Sequence, residues 1–256
     1  MDRLKGKIAV ITGCSTGLGK QTAIRFAEEG AALAICARTE SRLMETKRIC
    51  EEKGVKVLAY PCDLSDAVQV KGFVDAITKE FGRVDILVNN ACAATLSRPF
   101  LEQTVDDLML PINTGLIPTW MMMQLCFPLM KERGGSIINL GSGSEEGLAG
   151  FSAYGSIKSA ISALTRTVAI EFGSYNIRVN NVYPTGLTEK MTGALDREVS
   201  KEALDYIVSG MAQNALKRAG DPYKDVSPVF LFLASDDSSY VTGQGLYVDG
   251  GAVIHR

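Results

Sequence analysis

The sequence predicts an α/β protein: a doubly wound parallel sheet sandwiched in three α/β/α layers. Two observations carry this. Short apolar runs alternate with amphipathic stretches along the 256 residues, the pattern of strands joined by crossover helices. The strand-like runs are apolar along their whole length, as expected of strands covered on both faces. A third observation bears on domain count. No interior stretch is rich enough in Pro, Gly or Ser to act as a linker, and no repeat or low-complexity segment occurs. Residues 1–256 therefore read as a single domain.

The elements follow in order. "KIAVITG" (7–13) is a strand ending on glycine, and "KQTAIRFAEEG" (20–30) is a helix with a glycine stop. "AALAICA" (31–37) is the second strand, followed by a helix over "SRLMETKRICEEKG" (41–54). "KVLAYPCD" (56–63) is the third strand, and "AVQVKGFVDAITKEFG" (67–82) the helix after it. "VDILVNNA" (84–91), "GSIINLGS" (135–142) and "IRVNNVYP" (177–184) are the fourth to sixth strands. "GQGLYVDGG" (243–251) is the last.

Composition excludes several functions. The 27 basic and 29 acidic residues nearly balance, and no basic stripe appears, which argues against a nucleic-acid partner. The longest apolar stretch, around 116–130, is broken by Pro118, Thr119, Gln124 and Pro128, so no membrane span is expected. The first residues run directly into a strand, with no signal-peptide pattern. The six cysteines (14, 36, 50, 62, 92 and 126) form no CxxC pair. They read as reduced thiols, and a cytoplasmic location is expected. The only histidine is His255, so neither a histidine-based zinc site nor a Ser-His-Asp triad is expected, and no metal site is proposed.

"TGCSTGLG" (12–19) joins the first strand to the first helix. Glycines there let backbone N–H groups face an anion, and the helix N-terminus adds its positive end. Gly13, Ser15, Thr16, Gly17, Leu18 and Gly19 are thus candidate contacts for a dinucleotide pyrophosphate; the bland alternative is a tight turn without a ligand. The end of the second strand selects the dinucleotide. A carboxylate there suits the ribose hydroxyls of NAD, and an arginine suits the 2′-phosphate of NADP. The sequence has Ala37 and then Arg38, with Arg42 near, so NADP(H) is preferred over NAD(H). Arg38 as a solvated loop charge is the alternative. Asp63, with Leu64 after it, is placed to meet the adenine end, and an Asx turn or helix cap is compatible with that role.

"AYGSIKSA" (153–160) sets Tyr154 and Lys158 one helical turn apart on one face. They either cover each other or form an acid–base pair. A cation ~4 Å away at an effective dielectric of ~20 interacts with a phenolate by about 4 kcal/mol. Lys158 is therefore expected to lower the pKa of Tyr154.

At this point the chain resembles the short-chain dehydrogenase/reductases along its whole length. The matching pieces are "TGCSTGLG", "CDLS", "VDILVNNA", "GGSIINLGS", "YGSIK", "NIRVNNVYP" and "VTGQGLYVDGG". The resemblance implies a Rossmann-type fold, a nicotinamide cofactor and no metal. It implies a catalytic Tyr154, a Lys158 that also holds the nicotinamide ribose, and a Ser142 that hydrogen-bonds the substrate oxygen. Ser142 lies twelve residues before Tyr154, one fewer than the common pattern, which leaves Ser144 as a rival. Asn113 in "PINTG" matches the helix asparagine that extends a proton path. Asn89 and Asn90 match a segment that lines the cofactor cleft, with Cys92 where glycine is usual. In "YPTGLTEKM" (183–191), Pro184, Gly186, Leu187 and Thr188 fall where the family presents groups to the cofactor, although Thr185 stands where glycine is usual.

The resemblance also implies a substrate lid at about 187–217. Met191, Leu195, Ile207 and Met211 would give it an apolar side, opposite Cys92, Ala93, Ala94, Leu96 and Leu148. Ordinary lid packing explains the same residues. Glu145 and Glu146 read as a solvated loop near the mouth. The Met121–Met123 run reads as core or subunit contact. The expected substrate is a small-molecule secondary alcohol or ketone, hydroxysteroid or bile-acid-like. The alternatives are a 3-oxoacyl thioester or sugar, a dehydration or isomerisation on the same fold, or a non-catalytic nucleotide-binding scaffold. Helices near 100–130 and 155–173 are expected to build a homo-oligomer, a tetramer or dimer.

Overall fold

The computed structural model describes residues 2–95, 97–192 and 200–254. Among the described residues seven strands form one sheet: β1 (Ile8–Thr12), β2 (Ala32–Ala37), β3 (Val57–Pro61), β4 (Ile86–Asn89), β5 (Gly135–Leu140), β6 (Ile177–Pro184) and β7 (Gly245–Val248). Their order is β3-β2-β1-β4-β5-β6-β7, and every pairing is parallel. The order in which successive strands are laid down reverses between β1 and β4. Ligands of open α/β sheets bind in the crevice at such a switch point, outside the carboxyl ends of the strands.

The helices are α1 (Gly17–Glu28), α2 (Glu40–Glu51), α3 (Ala67–Phe81), α4 (Val105–Pro111), α5 (Ile117–Met130), α6 (Ser152–Phe172), α7 (Glu189–Thr192), α8 (Lys201–Met211) and α9 (Ser227–Ala234). Because successive strand residues point to opposite faces, β1 feeds two cores. Ala9 and Ile11 pack with Phe26 of α1, Leu43 of α2 and Phe230 of α9. Val10 packs on the other face with Phe73 of α3, Met123 of α5 and Val168 of α6. Burying each Phe contributes about 1.5–3 kcal/mol. Met122 and Met123 are core residues.

Two expectations about elements change. The first helix begins at Gly17 rather than Lys20, so the last glycines of the loop form its first turn. Asn113 does not lie in regular α-helix. A π turn at Ile112–Leu116 joins α4 to α5, next to Pro111 within α4 and before Pro118. Proline removes an N–H from the helical ladder, and single π turns recur where it is broken. Among the described residues no helix is long and apolar enough to cross a membrane.

Candidate active site

The first turn of the site is built from backbone. Gly13 has φ +74°, and its N–H and that of Cys14 donate to Cys36 O at 2.9 and 3.0 Å, which curls the loop over β2. A Cβ on Gly19 would lie 2.3 Å from Gly13 O, so only glycine lets α1 start this close to β1. Asn90 fastens the loop from the side. Its Nδ2 donates to Thr12 O at 2.8 Å and to Gly13 O at 3.2 Å, and its N–H donates to Thr12 Oγ1 at 3.0 Å. Asn89 is buried and donates to Asn139, which donates to Thr165, tying β4 to β5 and α6.

A cleft of about 600 Å³ opens above this loop. Gly13, Ser15, Thr16, Leu18, Arg38, Asp63, Leu64, Asn90, Tyr154 and Thr188 line it, all of them expected from the sequence, and Thr39, Cys62, Cys92 and Thr114 join them. Gly17 presents its N–H to the carboxylate of Glu189. Pro184 closes β6 against Val248, Leu187 N–H donates to Gly220 O at 2.8 Å, and Gly186 lies beside Pro222.

At the far end Arg38 is exposed and within electrostatic reach of Asp63. Asp63 Oδ1 accepts from Ser65 N–H at 3.0 Å and Ser65 Oγ at 2.7 Å, an Asx turn. These bonds, helped by Arg38, hold its carboxyl below the usual range.

Tyr154 and Lys158 project from one face of α6. Lys158 is 1% exposed, its Nζ donates to Leu140 O at 2.6 Å, and it lies 5.4 Å from the centroid of the Tyr154 ring. Burial works against the ammonium, but the groups around it (Tyr154, Cys92 and Glu145) outweigh burial and raise its pKa. Lys158 thus stays charged. Lys158 does pull the Tyr154 phenol down, as expected, but it does not set the net direction. Burial pushes the phenol above its ordinary value, and Lys158 pulls it down without reversing the shift. Desolvation of the phenolate is the largest influence, and Cys92 and Glu145 add to it against Lys158.

Ser142 follows β5, and the turn it opens, Gly143–Glu146, lies against the start of α6. Gly155 allows this: a Cβ there would lie 2.6 Å from Ser144 O. Ser144 is buried and lies 3.0 Å, Oγ to Oγ, from Ser142, and its N–H donates to Ser142 Oγ at 3.2 Å. Ser142 therefore accepts from Ser144 and keeps its own O–H to donate. Of the two serines, Ser142 is the half-buried one. Asn113 is half-buried in the π turn, whose residues pack on α6.

Several participants were not expected. Thr114 Oγ1 accepts from Ala93 N–H at 2.9 Å and donates to Leu110 O at 2.7 Å, pinning the segment after β4. Glu145 is half-buried rather than solvated, and Ser162 Oγ donates to it at 2.9 Å. Its position three residues after a serine is the capping-box spacing, the one signal that could have marked it. Glu146 is exposed and accepts from Tyr247. Of the expected substrate wall, Cys92 and Ala93 line the cleft, whereas Leu148 faces a separate groove beside Phe100. Met191, Ile207 and Met211 are half-buried; Leu195, Leu96 and His255 lie outside the described residues.

A phenol lining one end of a cleft, with a charged lysine against it and N–H groups and a guanidinium at the other end, can move a proton beside a bound nucleotide; Ser142, after β5, is not among the residues that line this cleft. Known proteins resemble this chain in sequence and fold. A family model described as enoyl-(acyl carrier protein) reductase matches residues 13–253. The 3-oxoacyl-[acyl-carrier-protein] reductase of Thermotoga maritima is 37% identical over 98% of this chain and 100% of its own. The 12alpha-hydroxysteroid dehydrogenase of a Clostridium species is 35% identical over 96% of both chains. The solved structure of a 7 alpha-hydroxysteroid dehydrogenase with NADH and 7-oxo glycochenodeoxycholic acid is 31% identical. It superposes with a TM-score of 0.88 over 99% of this chain and 97% of that one. By sequence model, relatives and fold alike, this chain belongs to the short-chain dehydrogenase/reductase family.

Proposed function

We propose that the chain interconverts a secondary alcohol and a ketone and prefers NADP(H) to NAD(H). The observation that carries the reading is the contact between the Tyr154 phenol and the buried Lys158 ammonium, with Tyr154 lining the cleft that begins at the glycine loop. The cleft fits a dinucleotide. The carboxylate on Gly17 N–H stands in for a phosphate oxygen, and Arg38 with Asp63 suits the adenosine end. Gly13, Ser15, Thr16, Gly17, Leu18, Gly19, Arg38, Asp63, Leu64, Asn90, Pro184, Gly186, Leu187 and Thr188 would hold it.

A nicotinamide bound there would supply the hydride in reduction and take it in oxidation. Tyr154 gives its proton to the ketone oxygen and takes it back in the reverse direction. Ser142 donates to the same oxygen and fixes its place. Lys158 favours the phenolate and holds the nicotinamide ribose. Asn113 extends the proton path. Residues from about 187 to 217 act as the lid, and residues 1–256 as a single domain. A homo-oligomer in the cytoplasm completes the proposal.

The substrate is a hydroxysteroid or bile-acid-like alcohol, a reading supported by the two hydroxysteroid dehydrogenases among the relatives. A second reading, a 3-oxoacyl thioester, is favoured by the reductase from Thermotoga.

Thermal unfolding with NADPH, NADP, NADH and NAD in parallel tests the cofactor without a substrate. At 100-fold Kd a ligand adds about 2.7 kcal/mol, and Tm rises roughly 5–10 °C for a chain of this size. A larger rise with the phosphorylated pair is expected, followed by NADPH oxidation with oxo-bile acids. A larger rise with NADH or NAD overturns the preference. No rise with any of them overturns the oxidoreductase reading in favour of a scaffold.

A further inference from the structure

A ring of polar contacts lies behind Ser142. Ser142 N–H donates to Glu145 Oε1 at 3.3 Å, and Ser162 Oγ donates to the same oxygen at 2.9 Å. Ser162 Oγ accepts in turn from Tyr183 OH at 2.9 Å and Asn181 Nδ2 at 2.6 Å. Tyr183 stacks on Tyr247, with ring centroids 4.3 Å apart and planes 9° apart. Tyr247 OH donates to Glu146 at 2.5 Å, which returns to the starting turn. The ring thus crosses from the end of β5 to α6, β6 and β7. A solvated loop needs no such anchorage. A half-buried carboxylate that has gained two donors is held in place.

We propose that Glu145 is a positioning residue of this site: it fixes the turn that carries Ser142 and sets the charge that Tyr154 and Lys158 face. The inference rests on the proposed alcohol–ketone chemistry for its catalytic meaning, but its geometry stands alone. The titratable groups around Glu145 are Tyr154 and Lys158 on α6, Tyr247 on β7, Glu146 beside it and, through Ser162, Tyr183 on β6; Cys92 after β4 faces Tyr154 and Lys158 from the other elements. Glu145 acts on the catalytic pair in one sense: its negative charge favours the ammonium of Lys158 and disfavours the phenolate of Tyr154. Burial raises the pKa of Glu145 itself, against the bonds from Ser162 and Ser142.

Three variants separate the two roles. Glu145→Gln keeps the shape and loses the charge. Glu145→Asp keeps the charge and shortens the reach. Glu145→Ala loses both. The first readout is phenolate absorbance against pH, with Tyr154→Phe in each background subtracted to isolate Tyr154. Glu145→Gln is expected to move the Tyr154 titration to lower pH, and Glu145→Asp to leave it near the parent's. The second readout is ketone reduction, where Glu145→Ala and Glu145→Asp are expected to lower kcat about 10- to 100-fold, the cost of a misplaced donor. Should Glu145→Gln fail to fold, Glu145→Asp still carries the test through kcat. A Glu145→Gln titration that superimposes on the parent's overturns the charge role. A kcat for Glu145→Ala within about twofold of the parent's overturns the positioning role. The phenol titration needs no substrate, so its failure is separate from that of the proposed reaction, which an inactive parent chain would show.

Discussion

Glu189 Oε2 accepts a 2.6 Å hydrogen bond from the backbone N–H of Gly17. The carboxylate begins α7 and sits at the positive end of α1, where a dinucleotide phosphate would bind. Two anions do not share one N–H, so Glu189 must leave before phosphate arrives. Glu189→Gln replaces a charged acceptor by a neutral one, and such bonds differ in strength by about 1 kcal/mol. NADPH is expected to bind about 3- to 10-fold more tightly to this variant in a fluorescence titration. Equal or weaker binding would show that displacing Glu189 costs nothing.

Tyr154→Phe removes the proposed proton donor and keeps the ring. Turnover is expected to fall about 10²- to 10⁴-fold, while the thermal shift with NADPH survives. The raised pKa of Tyr154 gives a second readout. A phenol whose pKa is raised on folding stabilises the native state fully below its unfolded value, near ~10. That contribution is lost as pH rises from there through the raised native value. The Tm of the parent minus that of Tyr154→Phe should therefore fall as pH climbs past ~10. A difference that stays flat with pH would refute the raised phenol.

Arg38 is the expected selector of the phosphorylated cofactor. A hydrogen bond to a charged group contributes about 1.5–3 kcal/mol. Arg38→Ala should weaken NADPH binding roughly 10- to 150-fold and leave NADH binding within about threefold. Equal losses for both cofactors would make Arg38 a general contact and not a selector.

Much of this was legible locally. Strands β1 and β2 announce themselves as apolar runs, β4 to β6 as mostly apolar stretches with a few polar residues, and the glycine loop and the Tyr154–Lys158 spacing each lie within one short segment. Helix α1 starts earlier than periodicity suggests because Gly17 and Gly19 are poor helix formers that serve as its first turn. The π turn was hidden because Pro111 and Pro118 disrupt the pattern on either side of Asn113. Glu145 was visible as a capping spacing, but its partners Ser162 and Tyr183 come from α6 and β6 and depend on how those elements pack. The direction of the Tyr154 shift was not legible at all. It depends on burial and on Cys92 and Glu145, which only the fold brings near.

Cys92 and Gly115 give the last prediction. A Cβ on Gly115 would lie 2.5 Å from Cys92 Sγ and 3.2 Å from its Cβ. The π turn can approach the segment after β4 only because residue 115 has no side chain, and Cys92 fills the space. Gly115→Ala should therefore cost about 1–3 kcal/mol through overpacking, a fall in Tm of roughly 2–12 °C. With Cys92→Gly the obstruction is gone. Alanine in a helical segment then gains up to about 1 kcal/mol over glycine. The same substitution should thus change sign between the two backgrounds, and a double-mutant cycle should return a coupling above about 1 kcal/mol. Additive effects would mean that the π turn moves away from Cys92 without cost, and that the contact does not hold the floor of the cleft in place.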